Sequence, residues 1–217
     1  NQTFGKNNLN VLLGHESNMS KSASVFASRS DFPSNNVQSI SSGDPSTARN
    51  NGGYGHGASE SYFSRINFSW LDKYLFTANV RRDGSDKFPA SGRWATTTSG
   101  AFAWKINNEK FLENVKAINE LKLRLGYGLT NNQGIPGNTY VTQLSTVANG
   151  LSGTAQFQSN LANPNVKWEQ TKNTNIGLDG TFFNWRLNFS IDIYDRHTDG
   201  LLLKVPLPRY SGTTTSY

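Results

Sequence analysis

The feature that most constrains this chain is an alternation of apolar and polar side chains, sustained over stretches of roughly 9 to 13 residues and repeated about six times. From Leu121 onward one face reads Leu121, Leu123, Leu125, Tyr127, Leu129, and the other Lys122, Arg124, Gly126, Gly128, Thr130. A period of two is a β-strand with one oily and one wet face. Strands of soluble domains average about 5 to 6 residues, whereas a tilted strand crossing a bilayer needs about 9 to 11. The length therefore predicts an all-β, antiparallel transmembrane barrel wall.

Composition does not oppose this. The 217 residues are 35% hydrophobic with 20 Gly and no Cys, and the mean hydropathy is -0.57. A barrel strand is half polar, so averaging hides the membrane signal that a helix would give. No apolar run approaches the length of a membrane-spanning helix, and the opening residues have no Met or apolar signal core. Without Cys there is no disulfide framework or thiolate metal site. The net charge of +6 is spread over many strands instead of being gathered on one arm, which argues against nucleic-acid binding.

Along the chain, the pattern predicts a strand over Asn8 to Ser17 and a weaker one over Ala23 to Ser28, then an exposed polar loop from Asp31 to Ser59. A hairpin follows, with Tyr62, Ser64, Ile66, Phe68 and Trp70 on one face, a turn at Leu71 to Lys73, and a return through Tyr74, Phe76, Ala78 and Val80. After a loop over Asp83 to Arg93 comes a strand over Trp94 to Ile106. Phe111, Leu112 and Val115 have helical spacing behind Asn107 or Asn108, predicting a short helix. Beyond the Leu121 strand a second long polar region, Asn131 to Asn165, holds one expected strand near Thr139 to Leu144. A final hairpin joins Trp168 to Phe182 with Leu187 to Ile193 around Asn184.

Two asymmetries favour a barrel over a soluble carbohydrate-binding β-sandwich, which is the alternative reading. Short connections alternate with long ones, as periplasmic turns alternate with outer loops. Aromatic residues (Trp70, Tyr74, Trp104, Phe111, Phe182, Phe183, Trp185) crowd the short-turn ends like an interfacial girdle. The strand charges Arg65, Lys122, Arg124, Asp179 and Asp192 all fall on the face opposite the apolar one.

The segment from Ser61 to Ser85 (SYFSRINFSWLDKYLFTANVRRDGS) resembles the barrel of SusC/RagA-type TonB-dependent transporters of Bacteroidota. So do Arg93 to Ile106, Ile118 to Gln133, Asn163 to Thr171 with Asn175 to Asp179, and Asp195 to Pro208, in the family's order. The resemblance implies that residues 1–217 are part of a single barrel domain of about 22 strands, of which this section supplies about eight to ten. It implies a plug domain, a TonB contact and a closing strand elsewhere, since nothing here matches them and Ser211 to Tyr217 reads as an interrupted loop. It further implies the outer membrane of a Gram-negative bacterium, contact with outer-membrane lipid, a SusD-like surface lipoprotein, the TonB complex acting through the plug, and an oligosaccharide or peptide cargo.

The residues give no sign of catalysis, so the chain reads as a non-enzyme without cofactor or metal. His15, His56 and His197 have no paired spacing. Asp83 to Asp86 lacks the order of a calcium loop. Gly53 to Gly57 lacks the Lys-Ser/Thr of a phosphate loop and reads as flexible. Polar-face residues Arg65, Asn67, Asn79, Arg81, Lys122, Arg124, Asn173, Asn175 and Asp192 are the candidates for lumen contacts to substrate or plug. Loops 31–59, 83–93 and 131–165 are candidates for ligand or lid contact.

Overall fold

The structure, a computed structural model, describes all residues except 38, 150–152, 209, 211, 214 and 217, together with the side chains at 148, 149, 215 and 216. Twelve strands are described: β1 (Gln2–Phe4), β2 (Asn7–Ser28), β3 (Arg49–Trp70), β4 (Tyr74–Ser85), β5 (Trp94–Lys105), β6 (Ile118–Asn132), β7 (Leu144–Asn149), β8 (Gly153–Gln158), β9 (Glu169–Phe182), β10 (Leu187–Asp199), β11 (Val205–Pro206) and β12 (Thr215–Ser216). Eight of them form one sheet in the order β1-β2-β3-β4-β5-β6-β9-β10, and β7-β8 and β11-β12 form two-stranded ribbons. Every described pairing is antiparallel. The all-β expectation holds, as does the alternation in the second half of β3 and in β4 to β6, β9 and β10.

By its internal contacts the chain divides into two units: residues 1–17 with 59–217, and residues 18–58. In the second unit, the expected loop after Asp31 is shorter than the polar composition suggested, because β2 runs unbroken to Ser28 and β3 starts at Arg49. The glycine-rich Gly53 to Gly57, expected as flexible loop, is strand. Ser20, Ser22 and Ser24 lie against these glycines, at distances of 2.7–3.2 Å from where a Cβ would stand on Gly53, Gly55 and Gly57. Small side chains on both strands let the backbones pair without any apolar face. The connecting segment is tied by Arg29, whose Nη1 donates to the carbonyls of Ser41 at 3.0 Å and Gly43 at 3.3 Å.

In the first unit, register explains the faces. One cross-strand row runs Phe68, Phe76, Phe102, Leu125, Ile176, Ile193, and its neighbour Trp70, Tyr74, Trp104, Leu123, Leu178, Ile191. Among the described residues nothing covers this face: Trp70 is 48%, Phe76 43% and Ile193 70% exposed. A β-sandwich must bury such a face against a second sheet, so the sandwich alternative fails. The described strand order also ends at β1 and β10 without joining them.

Two left-handed turns close the short end. Leu71 and Asp72 have φ of 55° and 53°, and Phe183, Asn184 and Trp185 have φ of 55°, 56° and 67°. Such φ values cost non-glycine residues energy, but turns of this hand match the strand twist. The helix expected behind Asn107 does not form. Residues 106–108 make one 3-10 turn and 109–117 are mostly turn, with Phe111 67% exposed. A segment this short cannot offset helix nucleation without a face to bury.

At the long-loop end the connections pack on one another. Phe88, Ile135 and Val166 are buried, with Tyr140, Trp168 and Leu202 against them. The Phe88 and Trp168 rings stack at 4.6 Å, the Trp168 Nε1 donates to the Gly92 carbonyl at 3.0 Å, and Lys87 Nζ donates to the Gln133 carbonyl at 3.3 Å. The strand expected near Thr139 to Leu144 is displaced: 138–140 is turn, and β7 starts at Leu144. Thr215–Ser216, expected within a loop, pairs with Val205–Pro206, while Ser211, Thr214 and Tyr217 lie outside the described residues.

Candidate functional site

The nine predicted polar-face residues do share one face. Register sets Arg65, Asn79, Ser99, Gly128, Asn173 and Arg196 in one row and Asn67, Thr77, Ala101, Gly126, Asn175 and Tyr194 in the next. Most of them are already engaged with each other. Arg65 Nε donates to Asn79 Oδ1 at 2.7 Å, Asn79 Nδ2 to Ser99 Oγ at 3.0 Å, and Thr77 Oγ1 to Asn67 Oδ1 at 2.9 Å. Arg81 donates to Asp83 at 2.7 Å and Ser61 at 3.0 Å, and its guanidinium lies 5.3 Å from the Phe63 ring centroid.

Near the short end, Arg124 makes a two-point contact to Asp179, both distances 2.8 Å, and reaches Asp192 at 3.0 Å. Lys122 adds a second cation to Asp179 at 3.2 Å, and Asn175 donates to Asp192 at 3.1 Å. Three strands are thereby cross-linked by planar charge-assisted bonds. Gly177 makes room for this: a Cβ there would stand 2.7 Å from Arg124 Cζ and 2.5 Å from Asp192 Oδ1. Gly177→Val is expected to displace Arg124 from both carboxylates. The check is protease susceptibility of the folded full-length protein, which should rise, whereas Gly126→Ala, where the nearest atom is 3.6 Å from the added Cβ, should change nothing.

Asn173 stands apart: its buried Oδ1 has no hydrogen-bond partner among the described residues. It lines a polar cleft of about 550 Å³ with Asn79, Ser99, Gly128, Tyr194 and Arg196. The sequence reading missed Tyr194 and Arg196 because it ended the last strand at Ile193. Alternation continued through His197 and Thr198 would have found them.

The apolar face is bounded by rings at both ends. Trp70, Tyr74 and Trp104 form the short-end belt. A belt the sequence reading missed lies at the other end, where Tyr62 stacks with His15 at 4.6 Å and meets Trp94 at 6.2 Å. Arg82 sits 5.3 Å from the Trp94 centroid. Gly84 admits the Trp94 ring, whose atoms would stand 2.9 Å from an added Cβ. From Trp70 to Tyr62 the band spans eight residues of strand, or about 26 Å at roughly 3.3 Å each. Strands of an outer-membrane barrel tilt by about 35–45°, so this length rises about 20 Å along the membrane normal, against an apolar band of about 25 Å.

Glu109 locks the short end. It accepts from Lys73 Nζ at 2.8 Å, Tyr74 Oη at 2.7 Å and Trp104 Nε1 at 3.1 Å. The Lys73 ammonium, then the Tyr74 and Trp104 donors, hold its carboxyl at about 2 against an ordinary 4.5. A depressed carboxyl pKa contributes stability above the unfolded pKa and loses it as pH falls through the folded one. Amide protection in 106–117, taken as exchange relative to the intrinsic rate at each pH, should therefore fall between pH 4.5 and about 2, and Glu109→Gln should abolish most of that change in protection. An unchanged profile in the variant would contradict the assignment.

His15 and His197 pair with Glu60 at 3.1 Å and Asp199 at 2.9 Å. Among the described residues no group of three His, Cys, Asp or Glu could hold a metal, and no helix is long and apolar enough to cross a membrane.

The family described as TonB dependent receptor-like, beta-barrel matches residues 1–217. TonB-dependent receptor P3 of Formosa agariphila is 34% identical over 99% of the chain, and TonB-dependent receptor SusC of Bacteroides thetaiotaomicron is 42% identical over 68% of it. The chain spans 22% and 16% of the lengths of these relatives. The structure of the RagAB peptide transporter superposes with a TM-score of 0.90 at 28% identity, covering 99% of this chain and 24% of that one. The RagAB peptide importer in the closed-closed state gives 0.91, with 100% and 24% covered. A sheet with one self-paired polar face and one ring-bounded apolar band is the wall of a membrane barrel, and the chain belongs to the TonB-dependent receptor β-barrel family, of SusC/RagA type.

Proposed function

We propose that this chain is a section of the wall of an outer-membrane importer that carries oligosaccharides or peptides inward, working with a SusD-like surface lipoprotein and powered by TonB. Residues 1–217 belong to a single barrel domain on this reading, and a plug supplied by the rest of the protein contacts TonB. The observation that supports it most is the division of labour between the faces. The apolar band meets lipid, and the polar face, facing the lumen, is held rigid by its own ion pairs. The names of the relatives, a SusC receptor and a peptide transporter, supply the two cargo classes.

The Arg124, Lys122, Asp179 and Asp192 cluster acts as scaffold on this reading, since its charges satisfy one another. Arg65, Asn67, Asn79, Arg81 and Asn175 are likewise committed to neighbours, which leaves Asn173 as the predicted residue with most capacity for plug or cargo. Cells lacking the full-length protein should lose growth on a particular glycan or peptide mixture, and the tagged protein should co-purify with a lipoprotein. Full growth on every glycan and peptide tested, with no lipoprotein recovered, would overturn the proposal.

A further inference from the structure

The apolar face is not uniformly flat. A cavity of about 580 Å³ lies over Ala78 and Gly100, between Ile66, Phe68, Phe102 and Tyr127. A second, of about 380 Å³, lies over Ser64 between Leu13, Tyr62, Val80 and Arg82. Ser64 pairs with Val80 and Ile66 with Ala78, so the two cavities follow one another along β3 and β4. Small side chains at Ser64, Ala78 and Gly100 cut this trough between flanking rings. From Phe68 to Tyr62 it covers six residues, about 20 Å of strand.

At the ring belt the trough ends at a cation. Arg82 is exposed, and among the described residues no carboxylate lies within ion-pair distance of it. Three nearby cationic groups are committed: Lys172 and His197 to Asp199, and His15 to Glu60. Glu60, the carboxylate nearest in register, also accepts from Tyr62. Arg82 lies on β4, which has neighbours on both sides. Thr96 pairs opposite Arg82 and Thr98 opposite Val80, so two hydroxyl side chains flank the cation on its β5 side.

We infer that this trough is a binding site for lipid A, with one acyl chain along Ser64, Ala78 and Gly100 and a glucosamine phosphate on the Arg82 guanidinium. The planar guanidinium suits a phosphate oxygen pair, and the hydroxyl and ring groups beside it suit a phosphosugar more than an ammonium-bearing headgroup. The long-loop end of a barrel faces outward, which puts Arg82 at the headgroups of the outer leaflet. This rests on the barrel-wall reading, and its readout is lipid occupancy, which is independent of transport.

The test is native mass spectrometry of the delipidated full-length protein titrated with purified lipid A and, separately, with phosphatidylethanolamine. Wild type is expected to retain one lipid A in preference to phosphatidylethanolamine. Arg82→Glu and Gly100→Leu should each weaken retention about tenfold or more. A side chain at 100 starts without strain, since the atom nearest its Cβ, the Thr77 carbonyl oxygen, is at 3.8 Å. Ile191→Leu, on the same face outside the trough, should retain lipid A as wild type does. Equal retention of both lipids, or lipid A retention undiminished in both trough variants, would overturn the site even if the apolar face is shown to contact lipid.

Discussion

Ala78→Arg is expected to destabilise the folded protein in a bilayer by about 2–4 kcal/mol, while Ala101→Arg costs less than about 1 kcal/mol. The two alanines lie on neighbouring strands, and both are exposed. Ala78 falls in the row Ile66, Ala78, Gly100, Tyr127, midway between the ring belts; Ala101 falls in the row of Asn67, Thr77, Gly126 and Asn175. The same substitution thus adds a guanidinium to hydrocarbon in one case and to a hydrated, amide-rich surface in the other. Urea titration of the full-length protein in lipid vesicles, followed by gel mobility, measures the difference. Equal costs for the two variants would mean that the faces have been assigned wrongly.

The second large effect lies in the loops. Phe88 is 0% exposed and its ring stacks on Trp168, so Phe88→Ala should remove about 3–5 kcal/mol from the loop cluster. The loss is local, because Phe88 packs with Ile135, Val166, Tyr140, Trp168 and Leu202 at the long-loop end. Hydrogen exchange should accelerate in 86–92, 133–143 and 163–168 and stay slow in β4, β5 and β6. Unchanged exchange in those loops would show that Phe88 does not anchor them. Long loops pinned in this way present a fixed surface, which suits binding better than a set of free tails would.

How far the chain could be read in advance depended on whether each segment carried a period. β4, β5, β6 and β9 alternate cleanly, and their faces followed from parity alone. The first half of β3 is Gly, Asn, Tyr and His without alternation, so its pairing with β2 left no trace that hydropathy could detect. Phe111, Leu112 and Val115 imitate a helix face, yet the segment is held by Glu109 reaching Lys73, Tyr74 and Trp104, contacts from other strands. Phe88, Ile135 and Val166 are isolated apolar residues in polar loops, and only the closure of the sheet between them brings them together. The polar-face candidates fall together on one face for the same parity reason. That Arg124 would meet Asp179 depends on β6 and β9 becoming neighbours across the 133–168 connection, which spacing does not encode.

The most direct measurement is a spin-label scan of β5. The chain has no Cys, so single cysteines introduced from Thr96 to Trp104 in an otherwise cysteine-free full-length protein report one position at a time. Collision with oxygen, which concentrates in lipid, should be high at Thr98, Gly100 and Phe102 and low at Thr97, Ser99 and Ala101. Collision with a water-soluble nickel complex should follow the opposite phase or be low where the plug shields the lumen. That period of two in oxygen accessibility is the account's prediction. Accessibility that does not alternate along β5, or high nickel and low oxygen collision at Gly100 and Phe102, would contradict a membrane-facing wall.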